Sequence, residues 1–125
     1  MRLLILAKES KAQTELRISL TEDGFDCSVA SFGEKVPELL SKHNPDLLLV
    51  EAVNPGSPGW DLITTIKRES SLPVIALVAG ELPDDVPGYL EVDDFLISPY
   101  DVRELRVRIQ RLLNKSEKAG ELIKA

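Results

Sequence analysis

Four short runs of apolar residues, each bounded by polar residues, constrain the fold of this 125-residue chain more than any other feature. They cover residues 3–6, 47–50, 73–78 and 95–97. Uniformly apolar runs of this length are typical of strands that are buried on both faces of a sheet. A fifth segment, residues 25–29, alternates apolar with polar side chains and predicts a half-buried strand.

Helical patterns separate these predicted strands. Ser10 with Gln13, and later Asp101 with Glu104, have the spacing of a capping box and predict helix starts. Residues 34–42 and 60–68 predict two further helices. The last helix carries a continuous apolar stripe, formed by Val102, Leu105, Ile109, Leu112 and Leu113. Alternating strands and helices with short links predict one open parallel sheet with helices on both faces.

Composition limits the functions open to such a domain. The net charge of −6 disfavours direct binding of nucleic acid by this chain. No apolar run is long enough to cross a membrane, and the single cysteine, Cys27, fits a reducing compartment, so we expect a cytoplasmic protein. With one cysteine and one histidine, His43, most metal and Cys/His catalytic sites are excluded. His43 lies before a strand, and we interpret it as a surface residue at a helix end.

Charge is distributed unevenly along the chain. Residues 101–125 carry seven basic and four acidic residues, whereas residues 1–100 carry eight basic and seventeen acidic ones. Residues 81–94 hold six acids and no base. An acidic segment followed by a basic helix suggests a charge-matched contact, although a solvated surface explains most single charges.

Chemistry in open parallel sheets gathers at the carboxyl ends of the strands. The residues predicted there are Ala7, Lys8, Glu9, Glu51, Val78 and Ser98. They include no glycine-rich dinucleotide fingerprint, no phosphate-binding loop and no nucleophile elbow.

From residue 2 to about residue 113, the chain resembles the receiver domains of two-component response regulators, most of all those joined to winged-helix DNA-binding domains. The resemblance rests on three segments in the family's order, residues 45–51, 73–79 and 93–100. It implies a flavodoxin-like (βα)5 fold, a doubly wound parallel sheet with strand order 2-1-3-4-5. It also implies Mg²⁺-assisted phosphoryl transfer to an aspartate after the third strand.

The residues that this chemistry needs are almost all replaced. The metal-binding acidic pair falls on Ala7 and Lys8, which leaves only Glu9 as a nearby acid, and the phosphate acceptor falls on Glu51. The residues that sense the phosphate, a hydroxyl side chain and a lysine, fall on Val78 and Ser98. Mg²⁺ requires hard oxygen ligands, so we expect no Mg²⁺ binding and no other cofactor.

We therefore predict a non-enzymatic pseudo-receiver that is independent of phosphorylation and acts by protein–protein interaction. We expect Lys8 to replace the metal ion and pair with Glu51; the alternative is that Glu51 points to solvent at the mouth of the sheet. The sequence is also compatible with two other functions. One is a working receiver that accepts phosphate at an unusual residue, and the other is a domain that binds a small molecule in the vacated pocket.

The sequence also predicts an irregular helix, an interaction surface and a domain boundary. Pro83 and Pro87 predict a short or irregular fourth helix. By resemblance, the face of the fourth helix, fifth strand and fifth helix forms a homodimer; its candidate residues are Asp93, Asp94, Arg103, Arg108 and Arg111. Phe95 and Tyr100 are interpreted as packing residues. Residues 1–113 form the predicted domain, and residues 114–125 are a linker or frayed helix end. The end of this segment resembles the linker that leads into a winged-helix DNA-binding domain.

Overall fold

The apolar runs form the central strands of one parallel sheet. The computed structural model describes residues 1–52, 57–79 and 91–124, the last nine by backbone alone. Nine helices and strands occur in these ranges, in the order β1 (Arg2–Leu6), α1 (Lys11–Glu22), β2 (Asp26–Ala30), α2 (Val36–His43), β3 (Leu47–Glu51), α3 (Pro58–Glu69), β4 (Val74–Ala79), β5 (Asp94–Ser98) and α4 (Val102–Lys124).

The five strands are all parallel and lie in the order β2-β1-β3-β4-β5. This order confirms the predicted flavodoxin-like topology. The fourth helix predicted from sequence, in residues 81–92, lies almost wholly outside the described residues. The helix named α4 here is therefore the fifth helix of the predicted pattern.

Alternate residues of the strands face opposite sides of the sheet and build two apolar cores. Leu3 and Ile5 pack with α1 and α4 on one side. Leu4 and Leu6 pack with α2 and α3 on the other side. Both sides of β1 and β3 are covered in this way, which explains why their sequences are uniformly apolar.

The helix ends follow the predicted signals in part. The Gln13 backbone N–H donates to Ser10 Oγ (3.1 Å), and the Arg103 N–H donates to Asp101 Oδ1 (2.8 Å). In a full capping box, the side chain of the third residue also bonds back to the first residue. Here the Gln13 side chain donates to Ala7 and the Glu104 side chain accepts from Arg108 instead. Gly24 follows α1 with a φ of 97°, a left-handed conformation that favours glycine.

The final helix is longer than its apolar stripe. Leu113 is the last buried residue among those of α4 whose side chains are described, yet the helical backbone continues to Lys124, so residues predicted as a linker or frayed helix end extend α4. None of the helices in the described ranges is long and apolar enough to cross a membrane.

Candidate functional site

Four of the predicted pocket residues gather around one small cavity at the carboxyl ends of the strands. Ala7, Glu51, Val78 and Ser98 line it, because the parallel register brings the ends of β1, β3, β4 and β5 to the same edge of the sheet. The cavity measures about 140 Å³. That volume is below the roughly 300–1,000 Å³ of typical sites for small organic ligands.

Lys8 and Glu9 do not line this cavity. Both side chains are exposed, and they border a separate opening of about 340 Å³, to which Glu51 and Phe32 also contribute. The predicted ion pair between Lys8 and Glu51 is wrong, because none of the ion pairs among the described residues joins these two side chains. Each side chain retains access to water, so neither one needs the other to stabilise its charge.

Tyr100 forms part of the wall of the small cavity and packs against the apolar core beneath α1 and α4. Burial raises the pKa of the Tyr100 hydroxyl, and the negative charge of Glu51 raises this pKa further. The prediction that Tyr100 is a packing residue therefore describes only half of its environment. Its phenol also faces the carboxylate that ends β3.

Gln13 is the residue of this site that sequence reasoning missed. Its side chain is buried, and its Nε2 donates to the backbone carbonyl of Ala7 at 3.2 Å. The capping-box pattern assigned this side chain to the start of α1, whereas it closes the turn between β1 and α1. An amide thereby occupies the space beside Ala7, where the resemblance implies an acidic metal ligand.

Close packing at a glycine fixes the backbone position of Glu51. Gly59, in the first turn of α3, is buried against the end of β3. A Cβ atom at Gly59 would overlap the Glu51 carbonyl oxygen. The close approach of α3 to β3 therefore requires a residue without a side chain at this position.

The side chains around the small cavity do not fit Mg²⁺. Glu51 is the only carboxylate among the described lining residues, and the other polar groups are the amide of Gln13 and the hydroxyls of Ser98 and Tyr100. The described residues contain no cluster of three or more acidic, histidine or cysteine side chains suited to a metal. Mg²⁺ prefers octahedral coordination by hard, mainly anionic or water oxygens, which one carboxylate does not provide.

Of the five candidate dimer residues, only Asp94 and Arg108 form an ion pair with each other, and they do so within one chain. Arg108 donates to Asp94 (2.7 Å) and to Glu104 (2.9 Å), and these contacts raise its pKa. Arg103 similarly pairs with Asp101 at 2.9 Å, and this pairing lowers the pKa of the Asp101 carboxyl.

Asp93 lies apart from these arginines. Its Oδ2 accepts from Lys67 Nζ (2.8 Å) and from the Val74 N–H (2.7 Å), which ties the end of α3 to the start of β4. Arg111 is exposed on α4, and no ion pair of the described residues includes it. The proposed dimer face is therefore partly neutralised within one protomer.

The topology and the positions of these residues at the strand ends agree with comparisons to known proteins. The family model for the response regulator receiver domain matches residues 3–110. The chain belongs to the response regulator receiver domain family.

Similar curated proteins include a probable transcriptional regulator, ycf27, of Cyanidium caldarium and the transcriptional regulatory protein AfsQ1 of Streptomyces coelicolor. The first is 33% identical over 98% of this chain and 50% of its own length. The second is 33% identical over 93% of this chain and 52% of its own length. The chain thus spans about half the length of the curated relatives it matches.

Solved structures show the same fold. The N-terminal receiver domain of Klebsiella pneumoniae RstA superposes with a TM-score of 0.79 at 19% identity, covering 90% of this chain and 98% of that domain. NtrX from Brucella abortus superposes with a TM-score of 0.83 at 18% identity, covering 98% of this chain and 28% of NtrX.

Proposed function

We propose that this chain is a non-enzymatic regulatory receiver that works without phosphoryl transfer and signals by binding other proteins. The observation that carries the proposal is the set of groups around Glu51. The family is expected to have a metal-binding pocket here. In this chain the cavity is lined by one carboxylate, one amide, two hydroxyls and apolar side chains.

The groups that assist phosphoryl transfer in the family are replaced in this arrangement. Phosphoryl transfer to a carboxylate depends on a metal ion to neutralise charge between the two anions. Beside Ala7 there is the amide of Gln13, and the nearby acid Glu9 is exposed outside the cavity. A phosphate formed at Glu51 would therefore be poorly stabilised.

The groups that sense the phosphate are also replaced. Val78 is buried and has no hydroxyl that could bind a phosphate oxygen. Ser98 offers a hydroxyl but no positive charge, so a charge-assisted bond of the kind a lysine makes is lost. These substitutions favour a single stable conformation. They do not favour a switch between two conformations driven by phosphate.

The proposed interaction surface includes β5 and the neighbouring side of α4. The Asp94–Arg108–Glu104 group lies there, and a second copy of the chain would exchange some of these contacts for contacts between protomers. Such partly exposed pairs set register and partner choice more than affinity. We propose a homodimer through this surface.

We further propose that the chain is the N-terminal regulatory part of a cytoplasmic transcription regulator. The support is the similarity to relatives that are named as transcriptional regulators and are about twice as long as the matched region. DNA binding would then belong to a winged-helix domain after this chain, since the receiver part carries net negative charge.

A titration with beryllofluoride and Mg²⁺, followed by ¹⁵N NMR, tests independence from phosphate, because this anion imitates a phosphoryl group on a receiver carboxylate. We expect the amide signals of residues 51, 78 and 98 to stay unchanged. Shifts at these residues that vanish in a Glu51→Gln variant would overturn the proposal.

Sedimentation equilibrium tests the proposed dimer on the full chain and on residues 1–113. We expect a dimer mass that falls toward the monomer in Asp94→Arg and in Arg108→Glu, because each reversal places like charges together. A dimer mass that neither reversal changes would contradict the use of this surface.

A further inference from the structure

Two large apolar side chains stand exposed on the outer surface of one helical layer. Ile18 on α1 is 47% exposed and Val107 on α4 is 53% exposed. Both helices pack against the same side of the sheet, through Leu16 and Leu20 of α1 and the apolar stripe of α4. Their outward faces therefore belong to one surface.

An ion pair holds the two helices side by side. Arg106 of α4 donates to Asp23, the C-cap of α1, at 3.0 Å. The pair is partly exposed, with 43% and 26% of the two side chains accessible. It spans the boundary between α1 and α4, so Ile18 and Val107 lie on the outward faces of two neighbouring helices.

Charges of opposite sign bracket the two apolar residues. On α1, Glu15 precedes Ile18 by three residues and Glu22 follows it by four, so all three share one helix face. On α4, Arg103 precedes Val107 by four residues and Arg111 follows it by four. The charges nearest Ile18 at this spacing (the Ile18 stripe) are therefore acidic, and those four residues from Val107 on either side (the Val107 stripe) are basic. Glu104, three residues before Val107, is an acid on the same face, but Arg108 binds it at 2.9 Å.

Neither stripe is neutralised strongly within the chain. Glu15 meets Lys11 at 3.9 Å, and Arg103 meets Asp101 at 2.9 Å, both on side chains that are largely exposed. Glu22 and Arg111 take part in no ion pair of the described residues. Exposed pairs contribute little and exchange partners readily.

We propose that this outer surface of α1 and α4 binds a second copy of the same chain, with the Ile18 stripe of each protomer against the Val107 stripe of the other. Single exposed apolar residues are ordinary on protein surfaces and predict nothing by themselves. Here both halves of a complementary pattern lie on neighbouring helices of one molecule, and a two-fold symmetric contact requires that one surface carry both halves.

This surface shares Arg103 and Arg111 with the candidate dimer face predicted from the sequence, but it is centred on Ile18 and Val107 and does not include β5. Val107 and Arg111 point away from the sheet, whereas Arg108 turns toward Asp94 at the β5 edge. A contact through Ile18 and Val107 does not require the Asp94–Arg108 pair. The inference therefore does not depend on the dimer proposed above.

Sedimentation equilibrium of the full chain, at concentrations on the order of 100 µM where weak interfaces associate, tests the proposal. We expect Val107→Glu and Ile18→Lys each to raise the dissociation constant about tenfold or more, as loss of an interface centre does. Ser41→Glu, on the opposite side of the sheet, serves as a matched exposed control and should leave the constant unchanged. Circular dichroism of each variant checks that it is folded.

Charge reversal tests whether the partner is a second copy of the same chain. Glu15→Lys with Glu22→Lys should weaken association, and so should Arg103→Glu with Arg111→Glu. The variant with all four reversals restores opposite charges across the contact and should associate as the wild type does. A wild-type chain that is monomeric throughout would overturn the proposal. So would association that responds only to Asp94→Arg and Arg108→Glu, a result that leaves the β5 surface as the dimer contact.

Discussion

The side-chain amide of Gln13 donates to the main-chain carbonyl of Ala7 at 3.2 Å, inside the turn that joins β1 to α1. This bond is buried and lies at the wall of the cavity that contains Glu51. It joins the first turn of α1 to the end of β1 by a neutral contact. The bond therefore fixes the turn that forms one wall of the site.

Replacing Gln13 with alanine should lower the free energy of unfolding by about 1–3 kcal/mol, because the Ala7 carbonyl is left without its buried donor. Urea denaturation followed by circular dichroism measures the change. Lys11→Ala, an exposed substitution in the same helix, serves as the control and should shift stability by less than about 0.5 kcal/mol. Equal effects of the two variants would show that the Gln13 bond is not structural.

Replacing Gly59 with alanine should destabilise the protein by about 2 kcal/mol or more, because the new Cβ must displace the Glu51 carbonyl. The matched control is Gly33→Ala, since a Cβ at Gly33 meets nothing within 4 Å. Thermal unfolding compares the two variants. A Gly59→Ala protein as stable as Gly33→Ala would mean that α3 does not approach β3 as closely as described.

The phenol of Tyr100 should titrate above its ordinary value near 10, because burial and the Glu51 charge both disfavour the phenolate. The folded state then binds the proton more tightly than the unfolded state. This contribution to stability is complete below the ordinary pKa and is lost as pH rises from there through the raised pKa.

Ultraviolet absorbance of a Tyr89→Phe variant, in which Tyr100 is the only tyrosine, measures this titration. Glu51→Gln in the same background removes the neighbouring charge and should lower the pKa of Tyr100 while leaving it above the ordinary value. An unchanged Tyr100 titration in the Glu51→Gln protein would contradict the proximity of the two groups.

The Asp94–Arg108 pair should stabilise a protomer by about 1 kcal/mol, as expected for a partly buried, hydrogen-bonded ion pair. A double-mutant cycle with Asp94→Asn and Arg108→Met, measured by urea denaturation of dilute protein, isolates the coupling. A coupling that disappears on dilution would place the contact between protomers instead of within one.

The parts of the fold that could be predicted are those set by short-range patterns. Residues 47–50 are apolar because both faces of β3 are covered, and the sequence shows this directly. Ser10 was identifiable as the start of α1 because its hydroxyl binds a backbone group only three residues away.

The parts that could not be predicted depend on side chains that meet through the tertiary fold. Gln13 carries a capping pattern, yet its amide satisfies a carbonyl that only the β1–α1 turn brings within reach. Lys67 and Asp93 are 26 residues apart, and neither shows a local signal of their contact. The Lys8–Glu51 pair was predicted from adjacency at the strand ends, which does not specify that Lys8 turns to solvent.

The central claim, that this receiver works without phosphoryl transfer, is tested most directly by the intact mass of the protein after incubation with acetyl phosphate and Mg²⁺. A receiver domain with the full acidic set, treated in parallel, shows that the reagent is active. We predict that the mass of this protein stays that of the unmodified chain. A gain of one phosphoryl group that is lost in a Glu51→Gln variant would contradict the account.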